Sequence, residues 1–277
     1  MRLSGRREPP YAECMDLTRS HERFVPDAVR ERYEIAETRQ AAAVLWATNT
    51  DLFDEIVEAL NEFEIRRTDL ITPGGQETQL ARRFNTSFRR RGWREARVDT
   101  DIELKLRIMP YRPAGEQDAT VTSTTVNNRG YKVDNFKGRV ALDLEWNAKD
   151  GNLDRDIGAY RALYEAGMID VAVLVTRTLT DLREFAARVR MDAGMPEAEA
   201  RKALNTTTTT NLDKLLPRLT RGDAGGCPIL AVAISSRTYE NAPSPFVEPT
   251  EEEAALSVIL PTEGEAGVPV DGIDDPE

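Results

Sequence analysis

Hydrophobic and polar positions alternate with two different periods along this chain, and the switch between them marks out its elements. Residues 27–47 and 51–65 carry helical spacing. In the second, Leu52, Phe53, Ile56, Val57, Leu60 and Phe63 fall on one side, behind a Thr50 or Asp51 cap. Pro73, Gly74 and Gly75 interrupt the pattern. Residues 76–91 then resume as a helix, with Leu80, Phe84 and Phe88 on one face and Gly92 as its stop. From 98 to 108 the period becomes two. Val98, Ile102, Leu104, Leu106 and Ile108 share one parity, and Asp99, Asp101, Glu103, Lys105 and Arg107 the other, which predicts a half-buried strand. Pro110 to about Asn128 reads as a polar loop.

Two more strands, about 130–136 and 139–147, flank Lys137 and Gly138, where a glycine suits a tight hairpin. A helix over 154–166 follows, with Ile157, Tyr160, Leu163 and Tyr164 on its apolar side. The unbroken apolar run 169–175 predicts a strand covered on both faces, 179–191 a helix, and 229–234 a last buried strand. The central order is helix, three strands, helix, strand. It predicts an α/β fold: an αβββαβ core with a mixed central sheet and flanking helices. Three regions are expected: an N-terminal helical region at 1–73, a core at 74–237 and an acidic tail at 238–277.

Charge alters this picture through its distribution. The net charge of −11 equals the eleven acids of residues 238–277, which contain no Lys or Arg, so residues 1–237 sum to zero. A neutral body can still carry a local basic face. The tail reads as poorly ordered and solvated; an intramolecular mimic of a polyanion competing for that face is the other reading. Two distant cysteines, Cys14 and Cys227, and a single histidine, His21, speak for free thiols and against a zinc site. Neither an apolar leader nor a run of membrane-spanning length is present, so an intracellular, cytoplasmic chain with no membrane partner is expected.

Chemistry concentrates in the strand 139–147. Val140, Leu142, Leu144 and Trp146 point one way, and Arg139, Asp143, Glu145 and Asn147 the other. Asp143 and Glu145 are neighbours on one face, about 7 Å apart along the backbone. Asp134 on the preceding strand comes close to them if its side chain faces the same way. Three acids at one point repel unless something positive sits between them. Mg²⁺ fits: it takes hard oxygen ligands and keeps waters for a substrate. The plain alternative is a solvent-facing acidic strand paired with nearby Arg and Lys.

This stretch resembles the active-site hairpin of BglII/BstYI-type restriction endonucleases, relatives of BamHI in the PD-(D/E)xK nuclease superfamily. Their pattern is an Asp, eight residues, then Glu-x-Gln. Here Asp134 is followed by eight residues and then by Asp143, Leu144 and Glu145, with Lys137 and Arg139 between. The resemblance implies that Asp134 bridges to the metal, Asp143 is the second ligand in a slot usually held by Glu, and Glu145 takes a slot held by Lys or Gln. A rival register uses Glu145 and Asn147, with Lys149 in reserve. The αβββαβ order, the segments 146–156 and 169–177, and the block from Thr207 to Leu230 are similar to the same enzymes. An acid from the helix 76–91, Glu77, is implied as a further metal-site residue; favourable placement at a helix N-terminus is the alternative.

Double-stranded DNA is then the expected partner and Mg²⁺ the cofactor, with a homodimer as the economical way to cut both strands of a palindrome. The helices 27–47 and 51–65 are candidates for the dimer interface or for an arm around DNA. Seven arginines lie in residues 82–97, Arg82, Arg89 and Arg90 among them. They can neutralise phosphates, or pair with acidic strand residues instead. Asn127, Asn128, Asn147, Lys149, Thr208 and Asn211 are further candidate DNA contacts. A catalytically silent DNA-binding protein on the same fold and a hydrolase of small phosphoesters remain as competing readings.

Overall fold

The computed structural model describes residues 17–72, 78–204 and 208–240. The first elements are β1 (Leu17–Thr18), α1 (His21–Phe24), α2 (Asp27–Arg30), β2 (Tyr33–Thr38), α3 (Ala41–Thr48), α4 (Thr50–Glu62) and α5 (Arg67–Ile71). Then come α6 (Gln79–Arg90), β3 (Arg94–Ile108), β4 (Thr120–Lys137), β5 (Val140–Leu144), α7 (Gly151–Glu165) and β6 (Val171–Arg177). The chain continues through α8 (Thr180–Asp192), α9 (Glu197–Ala200), α10 (Leu212–Thr220) and β7 (Ile229–Ile234). Seven strands form one sheet in the order β1-β2-β7-β6-β5-β4-β3. The pairs β5–β6 and β6–β7 are parallel and the others antiparallel. The expected mixed sheet is therefore present, and α6-β3-β4-β5-α7-β6 reproduces the αβββαβ order.

Helices cover both faces. On one, Val140, Leu142, Leu144 and Trp146 of the β5 segment join Val171, Val173 and Val175 of β6 against Leu45, Phe53, Leu60, Leu80, Phe84 and Phe88 from the helices. On the other, the sheet offers Ala141, Ala172, Leu174, Ala231 and Ala233 to Leu153, Ile157, Tyr160 and Leu163 of α7 and Leu215, Leu216 and Leu219 of α10. Small strand residues on that second face let α7 approach closely. That approach brings the helix over the acids of β5.

Three expectations need correction. Residues 27–47 are not one helix. Residues 33–38 form β2, which pairs residue by residue with β7 from Tyr33↔Ile234 to Glu37↔Leu230. The helix-forming Glu34, Ala36 and Glu37 are overruled by an open sheet edge, because strand preference depends on context. Residues 120–128, expected as loop, are strand and pair with 100–108. The strand 98–108 is also not half-buried: Leu104 is 54%, Leu106 63% and Ile108 59% exposed. The β3–β4 pair extends past the helices as a two-stranded ribbon. Its register shifts between Val98 and Thr100, where Gly130 packs so tightly that a Cβ would lie 1.2 Å from the Val98 carbonyl oxygen. Only glycine fits at that bulge.

Residues 17–240 belong to one compact unit, and β2 draws the N-terminal region into the same sheet as 229–234. In the helices expected to form an interface or an arm, one face packs into the core: Leu45 of α3 and Phe53, Ile56 and Leu60 of α4 are buried. Cys227 is a buried free thiol. Residues 241–277, which make up nearly all of the acidic tail, and Cys14 lie outside the described residues.

Candidate active site

The β4–β5 hairpin sets the first contact. Its register pairs Asn135↔Leu142 and Phe136↔Ala141, so one step further on Asp134 stands opposite Asp143 on the same face. The Asp134 backbone N–H donates to Asp143 Oδ1 at 2.7 Å. Tyr160, on the buried side of α7, donates its hydroxyl to Asp143 Oδ2 at 2.6 Å. Glu145 follows on the same face and is 5% exposed, as is Asp143. The solvent-facing alternative therefore does not hold.

The Glu145 backbone is fixed from three sides. Its N–H donates to the Val175 carbonyl at 2.8 Å, and its carbonyl accepts from the Thr176 hydroxyl at 3.1 Å and the Thr210 hydroxyl at 2.9 Å. Such anchoring limits where the carboxylate can go.

Two residues join the site that sequence reasoning did not single out. Asp156 of α7 is 3% exposed, and its carboxyl lies against that of Glu145. Arg155 reaches both, with Nε 3.1 Å from Asp156 Oδ1 and Nη2 3.8 Å from Glu145 Oε1. The usable signal was an acid at a buried helical position, four residues before Tyr160 and beside the apolar Ile157.

Gathering acids away from water shifts their titration. Burial, then the charges of Asp156 and Glu95, push Asp134 up to about 6. Burial, followed by the charge and hydrogen bond of Asp156, raises Glu145 to about 9. Asp143 is driven well above the carboxylate range by burial and by Asp134 and Asp156. Burial raises Asp156 as well, against the Glu145 hydrogen bond and Arg155. Burial, first of all, thus pushes each acid toward its neutral form, a condition that a cation relieves.

Among the described residues, no three acidic, histidine or cysteine side chains stand around one point as ready-made metal ligands. The donor chemistry nonetheless suits a hard cation. Only oxygens are offered, and Glu145 Oε2 and Asp156 Oδ2 are buried without a hydrogen-bond donor.

The family described as Restriction endonuclease BglII/BglIII matches residues 33–234, close to three quarters of the chain. The chain belongs to this family. The match opens at Tyr33 and closes at Ile234, the two residues paired at one end of the β2–β7 ladder. Among curated proteins no match is found. Membership makes the chain a restriction endonuclease, a site-specific nuclease that hydrolyses DNA, with a PD-(D/E)xK-like fold.

Within this restriction endonuclease the candidate DNA contacts separate by location. Arg82, Arg89 and Arg90 sit on α6, which packs on the sheet face opposite α7, so the fold does not bring them to the acids. Their neighbours Arg83, Arg91 and Arg97 pair with Asp69, Glu62 and Asp99. Asn127 and Asn128 are exposed where the ribbon leaves the sheet, opposite Asp101 and Thr100, with Asn127 donating to Asp101 at 2.6 Å.

Asn147 takes a left-handed backbone (φ 55°) and accepts from Arg177 at 3.0 Å. Arg177 is fully buried and also bonds the carbonyls of Thr178 and Leu204 and the Thr209 hydroxyl. Asn147 is therefore part of a loop clamp. Asn211 is withdrawn from DNA contact: it is 1% exposed and caps α10, its Oδ1 accepting from the Lys214 N–H at 3.1 Å. Lys149 and Thr208 remain on the surface. Glu77 lies outside the described residues.

Proposed function

We propose that this restriction endonuclease is a type II enzyme that requires Mg²⁺ and cuts both strands of duplex DNA at a short palindromic sequence as a homodimer. The observation that carries the reading is that Asp134, Asp143, Glu145 and Asp156 are neighbours between β4–β5 and α7, the last three of them buried. Asp134, Asp143 and Glu145 would hold the ion. When bound, Mg²⁺ polarises the phosphoryl oxygen and lowers the pKa of a coordinated water.

The chain's own groups do the rest. Tyr160 and the Asp134 N–H set the angle of the Asp143 carboxylate. The Thr176 and Thr210 hydroxyls fix the strand at Glu145. Arg155, half exposed at the edge of the cluster, offers a guanidinium to the phosphate. In the reaction a water oxygen bonds to phosphorus, the bond to the 3′ oxygen breaks, and that oxygen takes up a proton.

Two-fold symmetry follows from cutting both strands of a palindrome with one site per subunit. The exposed ribbon face supports a second copy as partner. Ile102, Leu104, Leu106 and Ile108, opposite Val126, Thr124, Thr122 and Thr120, form one continuous apolar and threonine surface. No helix among the described residues is long and apolar enough to cross a membrane. A cytoplasmic site of action fits a DNA substrate.

The test is to incubate the protein with a large DNA of known sequence and Mg²⁺ and to map the ends. Discrete fragments sharing one sequence are expected. Binding to duplex DNA with no cleavage would instead favour a catalytically silent binder, and no salt-sensitive DNA affinity at all would point to a smaller phosphoester substrate.

A further inference from the structure

The four acids differ in how their oxygens are satisfied. Asp143 is held at both, by the Asp134 N–H and the Tyr160 hydroxyl. Glu145 and Asp156 are each held at one oxygen only. Glu145 Oε1 and Asp156 Oδ1 face Arg155, whereas Glu145 Oε2 and Asp156 Oδ2 are buried and meet no donor. The two carboxyls lie within reach of each other, and both residues are more than nine-tenths buried.

A buried polar atom without a partner is costly, and two carboxylate oxygens in contact repel. Something positive belongs between them. The gap is set by rigid parts. Glu145 is bonded at its N–H and its carbonyl to β6 and the segment before α10. Asp156 rides on α7, which is anchored in the core by Leu153, Ile157 and Leu163.

We propose that Glu145 and Asp156 together ligate a divalent cation, which makes Asp156 a metal-site residue of this nuclease, supplied by the helix rather than by the hairpin. The inference deepens the metal-dependent reading and rests on it. It also gives the unusual carboxylate at position 145 a role. The acid at this position needs a partner ligand and a nearby positive charge, and α7 supplies both as Asp156 and Arg155.

The test is Mn²⁺ titration of the full chain without DNA, followed by calorimetry, for wild type, Asp134→Asn, Glu145→Gln, Asp156→Asn and the Glu145→Gln/Asp156→Asn pair, with thermal melts of each. Asp156→Asn is nearly isosteric, and it is expected to weaken Mn²⁺ binding by at least about tenfold while the metal-free melt stays level or rises. The double variant should lose less affinity than the two single losses combined, because both remove ligands of one ion.

Wild-type affinity in Asp156→Asn, with loss in Asp134→Asn, would overturn this proposal alone and leave Glu145 and Asp156 as a pair sharing a proton. Fully independent losses in the double variant would also overturn it. No Mn²⁺ binding by the wild type would overturn the metal-dependent reading together with it.

Discussion

Strand β4 passes through two regions that break the usual rule in opposite senses. At its N-terminal end, in the ribbon, Leu104, Leu106 and Ile108 across from it stand in water. At its C-terminal end, Asp134 meets three acids that are almost without water. Both ends alternate with period two. Alternation states which side chains share a face, and says nothing about whether that face is covered. The cover comes from α7 at one end and is missing among the described residues at the other. Local rules broken in this way are expected where a protein does its work.

The largest expected effect tests the acidic end. Asp143→Ala should lower the rate of plasmid cleavage by about a thousandfold or more, with binding of duplex DNA retained, on the scale seen when a group acting on the transition state is removed. Cleavage within tenfold of wild type would mean that this pocket is not where DNA is cut.

The next addresses the exposed end. Leu104→Lys combined with Leu106→Lys should weaken self-association by roughly tenfold or more per side chain, as expected for removing buried leucine from a contact. The monomer's melting temperature should barely move, since neither residue packs in the core. Unchanged sedimentation behaviour would rule the ribbon face out as the contact between copies.

The last concerns pH. In the metal-free protein Asp134 titrates near 6 and Glu145 near 9, both above their ordinary values. Between their unfolded and folded pKa values the folded state binds more protons than the unfolded state. Stability should therefore be greatest below about pH 4 to 4.5 for these two groups and fall as pH rises, through about 6 for Asp134 and about 9 for Glu145. Thermal melts in a chelator would show the decline, and added Mg²⁺ should reverse it at the alkaline end. A melting temperature that rises over this range in the chelator would contradict the strained cluster.

Much of this molecule was legible beforehand. The helices α6, α7 and α8, the buried strands β6 and β7, and the opposition of Val140, Leu142 and Leu144 to Asp143 and Glu145 all follow from spacing in the chain. So does the pairing of Asp134 with Asp143, through the hairpin at Lys137 and Gly138. The misses share a cause. Strand β2 and the ribbon's second strand, 120–128, owe their form to partners far off or across a turn, and weak local preference yields to such pairing. Asn211 reads as a polar loop residue until its role as a helix cap is seen.

By itself, then, the chain's order of apolar and polar residues determined the periods, the faces and the hairpin that sets Asp134 against Asp143. Only the tertiary structure decided that α7 would lie over that face, bringing Asp156, Tyr160 and Arg155 to the acids, and that nothing in the described chain would cover the ribbon. The reason is one of range. Periodicity is a property of neighbours along the backbone, whereas burial, and with it the titration of every carboxyl in the pocket, depends on which distant surface arrives.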